Sequence, residues 1–164
     1  MYQPRTYRNL VEATQLHAYR VVVKETDLMV YTATMLAAET RDLVLEHRGY
    51  VEAFIKSHPD FAEALIPWQF DGPAPGIITN MLKAARNAGV GPMAAVAGAI
   101  AEQVGYGLLK HTDQVIIENG GDVFIKTNSA ATVGIFAGKS PLNLRIGIRL
   151  NSRSKPEAVC TSSG

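Results

Sequence analysis

The stretch that most constrains the fold is residues 115–125, which read VIIENGGDVFI. Two runs of β-branched and aromatic residues flank the turn residues 119–121, and this pattern predicts two antiparallel strands joined by a tight turn. Glycine supplies the positive φ angles that such a turn requires. The carboxylates of Glu118 and Asp122 stand on either side of the turn. Two acids beside bare backbone suit a hydroxylated ligand, a phosphate with its metal ion, or a catalytic water.

Composition limits the class of protein. The 164 residues suffice for one domain with a substantial core. Hydrophobic residues make up 47% and charged residues 19% of the chain, which is ordinary for a soluble globular protein. The net charge of +1 gives no signal for nucleic acid or an anionic membrane. The single cysteine, Cys160, cannot form an internal disulfide, and the N-terminus lacks the apolar core of a secretion signal, so we expect a cytoplasmic protein.

Periodicity along the chain predicts an α+β domain in which an antiparallel or mixed sheet packs against helices. The expected elements are a hairpin over 17–32 with its turn at 25–27, a helix over 35–57 whose inward stripe includes Tyr50, a loop over 68–76, a helix from Pro75 to Gly89, a second helix after Pro92, and strands over 131–137, 142–150 and 157–161. Strict alternation in residues 142–150 predicts one buried and one solvated face for that strand.

A glycine turn at Gly91 precedes a helix rich in alanine and glycine. Small residues let a helix approach a sheet or another helix closely. Such a turn also leaves N–H groups free at the positive end of the helix dipole, which suits phosphate. The letters GVGP match neither the Walker loop nor the dinucleotide fingerprint. A closely packed core helix and a phosphate site at Gly91 both remain open.

The last residues, AVCTSSG, run from an apolar strand into small hydroxyl residues and stop at Gly164. We expect one domain over residues 1–164 that either lacks a C-terminal segment or is processed at Gly164. In self-processing proteins, the residue after the scissile bond attacks the preceding carbonyl and then serves as an N-terminal nucleophile. A second chain from the same precursor would then complete the site of a hydrolase or acyltransferase.

Four segments stand in order along the chain: YRVVVKETDL, GVGPMAAVAGAIAE, ENGGD and VCTSSG. This series resembles the ApbE-like superfamily, the flavin transferases once described as thiamine biosynthesis lipoproteins, and most closely an uncharacterised bacterial and archaeal family within it. The resemblance implies an α+β fold in which these segments surround a cleft. In the transferases that cleft holds FAD and a magnesium ion, and FMN is passed to a threonine of a target protein.

The resemblance also assigns candidate site residues. Glu102 lies where the transferases usually have a lysine, and their acidic metal-binding segment has no counterpart in these residues, so the resemblance implies the fold and a pocket rather than flavin transfer. Together with the residues of the hairpin and the glycine turn, it gives a catalytic set of Asp122, Thr161 and Ser162, and a ligand-binding set of Gly91, Gly98, Glu118, Asn119, Gly120, Gly121 and Ser163. No metal ligand is assigned.

Three functions are consistent with these residues. The first is an ApbE-like binding protein or enzyme, a transferase or hydrolase, that holds FAD or FMN with Mg²⁺, a nucleotide, or another phosphorylated small molecule. The second is a precursor that cleaves itself at Gly164. The third is a non-catalytic scaffold or interaction protein in which the hairpin is only a turn. A homo-oligomer is compatible with each, and no nucleic-acid or membrane partner is expected.

Overall fold

A computed structural model describes residues 16–135, 138–143, 145–151 and 154–160 of the chain. These residues form an α+β fold, which confirms the predicted class. The elements are β1 (His17–Val23), β2 (Thr26–Thr32), α1 (Ala37–Ser57), α2 (Pro59–Glu63), α3 (Gly76–Ala88), α4 (Val96–Leu108), β3 (Val115–Asn119), β4 (Asp122–Lys126), β5 (Ala131–Gly134), β6 (Gly147–Leu150) and β7 (Glu157–Val159). A 3₁₀ turn, Pro92–Ala95, leads directly into α4.

Among the described residues, the main sheet has five strands in the order β1-β2-β3-β4-β7, and every neighbouring pair is antiparallel. Strands β2 and β3 join the two hairpins, with Leu28 opposite Asn119. Alternate residues on these strands, including Leu28, Val30 and Ile117, are fully buried beneath the helices. One face of the sheet therefore forms the floor of the core.

The first hairpin turns earlier than its sequence predicts. Its two turn residues are Lys24 and Glu25, and β2 already begins at Thr26. Lys24 adopts a φ of 52°, which lets a two-residue turn close with Val23 opposite Thr26. The predicted turn residue Asp27 is a strand residue instead, since it pairs with Val22 of β1, and its carboxylate accepts a hydrogen bond of 2.8 Å from Nε of Arg20.

Helix α1 buries Val44, Val51 and Phe54 against the rest of the core. Tyr50, which the sequence placed on the same inward stripe, is exposed, and its hydroxyl donates to Glu46 at 3.0 Å. Helix α3 ends as predicted, because Gly89 adopts the left-handed conformation with a φ of 72°.

The small residues of α4 lie where neighbours come closest. A Cβ atom on Gly105 would lie 2.3 Å from the ring of Phe124 on β4, and one on Gly107 would lie 2.7 Å from the side chain of Leu43 on α1. This confirms α4 as a closely packed core helix. Among the described residues, no helix combines the length and the apolar character needed to cross a bilayer.

The strands predicted over 131–137 and 142–150 are shorter than expected, and within the part of the chain that the structure describes they pair only with each other, outside the main sheet. The predicted buried face of the second strand is wrong for three of its residues. Leu142 lies in a turn, and Leu142, Ile146 and Ile148 are 52%, 47% and 45% exposed. The apolar residues of an alternating strand are buried only when a second layer packs against that face. A separate two-stranded ribbon has no such layer. Residues 136, 137 and 144 lie outside the described residues.

Candidate functional site

The hairpin of β3 and β4 is confirmed, and it positions the candidate residues at its tip. Gly120 and Gly121 form the turn with φ angles of 66° and 114°, so both residues occupy the region that glycine enters freely. Asn119 and Asp122 face each other across the turn as the last pair of the ladder. Their side chains point to the same face of the sheet, the face that α4 covers.

The tip of the hairpin lies over the beginning of α4. Nδ2 of Asn119 donates a hydrogen bond of 2.9 Å to the carbonyl oxygen of Ala97, and Asn119 is buried. Beside it, the carboxylate of Asp122 lies above Gly98, since a Cβ atom on Gly98 would be 3.6 Å from Oδ1 of Asp122. The structure thus brings three predicted site residues together at one end of α4.

Asp122 has a perturbed electrostatic environment. Its side chain is half-buried, and burial raises the pKa of its carboxyl group above the usual 3.8, with a further contribution from the negative charge of Glu118. Its carboxylate has no hydrogen bond or ion pair to any other described residue. Carboxyl groups whose pKa is raised by burial and a nearby negative charge are found at functional sites more often than elsewhere.

A cleft of about 300 Å³ opens beside Asn119. It lies between the turn of the first hairpin, α1, and the start of α4. Its apolar lining consists of Val51, Ile55, Met93, Val96, Ala97 and Ile100, and its polar lining of Glu25, Thr26, Arg48, Glu52 and Asn119. An apolar wall with a few converging polar groups, at this volume, is typical of the smaller ligand sites of proteins.

Arg48 is the central polar residue of the cleft. Its Nη1 donates to Thr26 at 2.7 Å, and its Nη2 donates to Glu25 at 2.6 Å and to Glu52 at 2.9 Å. Glu52 also accepts from Nζ of Lys24 at 2.7 Å. The guanidinium therefore fixes the turn of the first hairpin to α1.

Sequence reasoning did not single out Arg48 as a site residue. Its side chain is only 14% exposed. A signal for this position was available, because Arg48 follows Val44 by four residues and precedes Val51 by three, which puts all three residues on one side of the helix. An arginine within an apolar stripe indicates a buried or interfacial ion pair.

Gly91 has a packing role in the structure. A Cβ atom at this position would lie 1.7 Å from the carbonyl oxygen of Ala64, so no side chain fits. The carbonyl oxygen of Gly91 accepts a hydrogen bond of 3.1 Å from the N–H of Ala94, which begins the 3₁₀ turn. A ligand contact at Gly91 stays a prediction.

The predicted hydroxyl residues Thr161, Ser162 and Ser163 lie outside the described residues, as does Gly164. The strand before them, β7, pairs with β4 and places Val159 opposite Val123, the residue after Asp122. In the part of the chain that the structure describes, no group of three or more His, Cys, Asp or Glu side chains is arranged to hold a metal ion.

Comparison with known proteins relates the chain to one family. A family model described as AbpE bacteria matches residues 8–164. A UPF0280 protein of Methanococcus aeolicus is 37% identical over 127 residues, which are 76% of this chain and 51% of the relative. Those of Methanococcus vannielii and Methanopyrus kandleri are 32% and 34% identical over 92% and 91% of this chain. The chain spans 51% to 62% of the length of these three relatives.

Proposed function

The chain belongs to the family described as AbpE bacteria, and from this premise we propose that it binds a phosphorylated small molecule with a planar ring, such as a flavin or a nucleotide, in the cleft beside Asn119. The observation that carries the proposal is the position of Asn119. This hairpin residue is fixed to α4 through the carbonyl oxygen of Ala97 and also lines the cleft. The hairpin is thereby a wall of a ligand-sized space as well as a turn.

The shape of the lining favours a flat ring. Val51 and Ile55 come from α1, whereas Met93 and Ile100 come from the 3₁₀ turn and α4. A planar heterocycle between these two sides would bury apolar area at about 25 cal/mol per Å². The polar residues at the margin would meet the ring substituents, the sugar or the phosphate.

The proposed site extends across the tip of the hairpin toward β7. Two strand spacings, about 10 Å in all, separate β3 from β7. A nucleotide-sized ligand can span that distance. In the proposal this extension includes Gly98, Gly120, Gly121 and the hydroxyl residues 161–163. Glu118 points to the opposite face of the sheet and acts on the extension through its negative charge near Asp122. Asp122, with its raised pKa, is the acid or base of the extension.

Membership of the ApbE-like superfamily is part of the proposal, and it makes FMN and FAD, with or without Mg²⁺, the first ligands to test. The proposal assigns no protein ligand to a metal ion. It concerns binding, which a transferase, a hydrolase and a carrier would share.

The direct test is titration of the purified protein with FMN, FAD and ATP, each with and without Mg²⁺. Flavin fluorescence and the thermal unfolding midpoint would be recorded. We expect saturable binding and a rise in the midpoint for at least one ligand, because a ligand that binds only the folded state stabilises it by mass action. Absence of any shift at millimolar ligand would overturn the proposal.

Two variants locate the site. Asn119→Ala removes the hairpin side chain from the cleft, and Asn80→Ala removes an exposed asparagine of α3 that also makes a hydrogen bond, to Glu102 at 3.2 Å. We expect the first variant to weaken ligand binding at least tenfold while the second binds as the wild type does. Equal binding by both variants would move the site elsewhere on the molecule.

A further inference from the structure

We propose that Arg48 recognises the phosphate of the ligand, and that the phosphate replaces the carboxylate of Glu25 on its guanidinium. This inference rests on the proposed function, since it names the residue that would select the phosphorylated form of the ligand. It is carried by the hydrogen bonds of Arg48, by the exposure of its partners, and by its place in the cleft.

The Nε donor of Arg48 is not used by the described residues. Guanidinium carries five N–H donors, and the edge formed by Nε and one terminal nitrogen matches two oxygens of a phosphate or carboxylate. The terminal nitrogens of Arg48 bind Thr26, Glu25 and Glu52. Its Nε is buried and has no hydrogen-bond partner among the described residues. A buried donor without a partner costs free energy, so the described contacts do not satisfy this guanidinium.

Glu25 is the partner that can leave. Its side chain is 83% exposed, whereas that of Glu52 is 43% exposed. Glu52 is also tied to Lys24, so it is anchored by two cations. An exposed ion pair contributes little stability, and Glu25 can turn into solvent at small cost. A phosphate in its place keeps Arg48 paired with an anion and offers two oxygens, one for Nη2 and one for Nε.

The location connects this exchange to the ligand. Arg48 and Glu25 both line the cleft, together with the apolar residues Val51 and Ile100. A ligand with its ring on the apolar wall would have its phosphate at the polar margin. Arginine suits this task better than lysine because its planar fork binds two oxygens at once.

The test uses inorganic phosphate as the probe and the N–H resonance of Arg48 Nε in ¹H–¹⁵N NMR spectra as the readout. In the wild type we expect this resonance to shift saturably with phosphate. In Glu25→Gln the competing carboxylate is gone, and we expect phosphate to bind about three- to fivefold more tightly, the range that an exposed ion pair allows. An unmoved resonance, or equal affinity in the two proteins, would overturn the inference.

A second pair of variants distinguishes the two-oxygen binding geometry of the arginine side chain from its positive charge. Arg48→Lys keeps the positive charge and loses the fork. Lys24→Gln removes a charge at the same rim, from a residue that pairs with Glu52 but does not itself line the cleft. We expect phosphate affinity to fall at least tenfold in the first and less than twofold in the second. Equal losses of phosphate affinity in the two variants would indicate general charge attraction and would contradict the inference. If Arg48→Lys does not fold, the Glu25→Gln comparison decides.

Flavins distinguish this inference from the proposed function. In the wild type we expect FMN to bind more tightly than riboflavin, and in Arg48→Lys we expect that preference to disappear while riboflavin binds unchanged. Loss of both flavins in equal measure would contradict the role of Arg48 and leave the cleft as the site. Failure of the wild type to bind any flavin would count against the proposed flavin ligand, and the phosphate titration would still decide the role of Arg48.

Discussion

Asn119 on the second hairpin and Ala97 at the start of α4 are joined by a side-chain hydrogen bond of 2.9 Å, from Nδ2 to the carbonyl oxygen. The two residues are distant in the sequence and belong to different layers of the fold. Their bond fixes the hairpin tip against α4 beside the cleft. This one hydrogen bond both packs the hairpin against α4 and positions a residue that lines the proposed site.

We expect Asn119→Ala to lower the free energy of unfolding by about 1–2 kcal/mol, the net value of a buried hydrogen bond plus a small cavity. Urea denaturation followed by circular dichroism would measure this. The exposed Asn80→Ala should cost less than about 0.5 kcal/mol. Equal losses in the two variants would show that the buried Asn119 hydrogen bond contributes no more to stability than the exposed one of Asn80.

Two helical glycines should respond in opposite directions to the same substitution. Gly105→Ala places a methyl group against Phe124, and we expect a loss of about 1–3 kcal/mol from overpacking. Gly49 in the middle of α1 is exposed and has no atom within 4 Å of an added Cβ. Gly49→Ala should therefore stabilise the protein by about 0.5–1 kcal/mol through higher helix propensity. Chemical denaturation of both variants checks the pair, and a gain in Gly105→Ala would contradict the described packing.

The turn of the second hairpin should discriminate between its two glycines. Gly120 has a φ of 66°, within the region that asparagine tolerates, whereas Gly121 has a φ of 114°, outside it. We expect Gly120→Asn to leave stability within about 0.5 kcal/mol, because Asn-Gly is a favoured pair for such turns. Gly121→Asn should cost about 1–3 kcal/mol in backbone strain. Thermal unfolding of both variants measures the difference, and equal midpoints would argue against the observed turn.

The raised pKa of Asp122 makes a prediction about pH. Because its pKa in the folded protein lies above the unfolded value of 3.8, the folded state binds more protons than the unfolded state between these two values. The stability contribution of this group therefore falls as pH rises through that window. We expect Asp122→Asn to be more stable than the wild type at neutral pH, with the difference vanishing below pH 3.8.

The check is the free energy of unfolding of both proteins across the pH range. Asp42→Asn on the exposed side of α1 serves as the control for an exposed carboxylate, and we expect it to change the free energy of unfolding at neutral pH by less than about 0.5 kcal/mol. A wild type that is more stable than Asp122→Asn at neutral pH would mean that the carboxylate is stabilised as an anion, contrary to the effect of its burial.

Local features could be predicted from the sequence because each is set by a few neighbouring residues. Gly120 and Gly121 specify a tight turn whatever surrounds them, and Gly89 ends α3 in the same way. The position of the turn at Lys24 and Glu25 was harder to predict from the sequence. Polar Asp27 is normal in a turn, but in the structure it pairs with Val22 of β1 and its carboxylate accepts a hydrogen bond from Arg20.

Features that depend on distant residues could not be predicted in this way. The cleft forms where Arg48, Thr26 and Asn119 meet, and nothing in the local sequence of one points to the other two. The alternation in residues 142–150 indicated a buried face, but burial requires an opposing layer that periodicity cannot supply. Gly91 is a further example. Glycine is required at this position because the backbone of Ala64 leaves no room for a side chain, and the sequence around Gly91 does not reveal that contact.

The order of strands in the sheet has a consequence for how the molecule assembles. Each hairpin closes between near neighbours in the chain, but Thr32 and Val115 pair across all four helices. Contacts this distant must overcome a large loop-closure entropy, so the pairing of β2 with β3 should set the folding rate. Of the residues that line the cleft, Thr26 lies on β2 and Asn119 lies on β3. The cleft is therefore absent from either hairpin alone, and we expect it to form only when β2 pairs with β3.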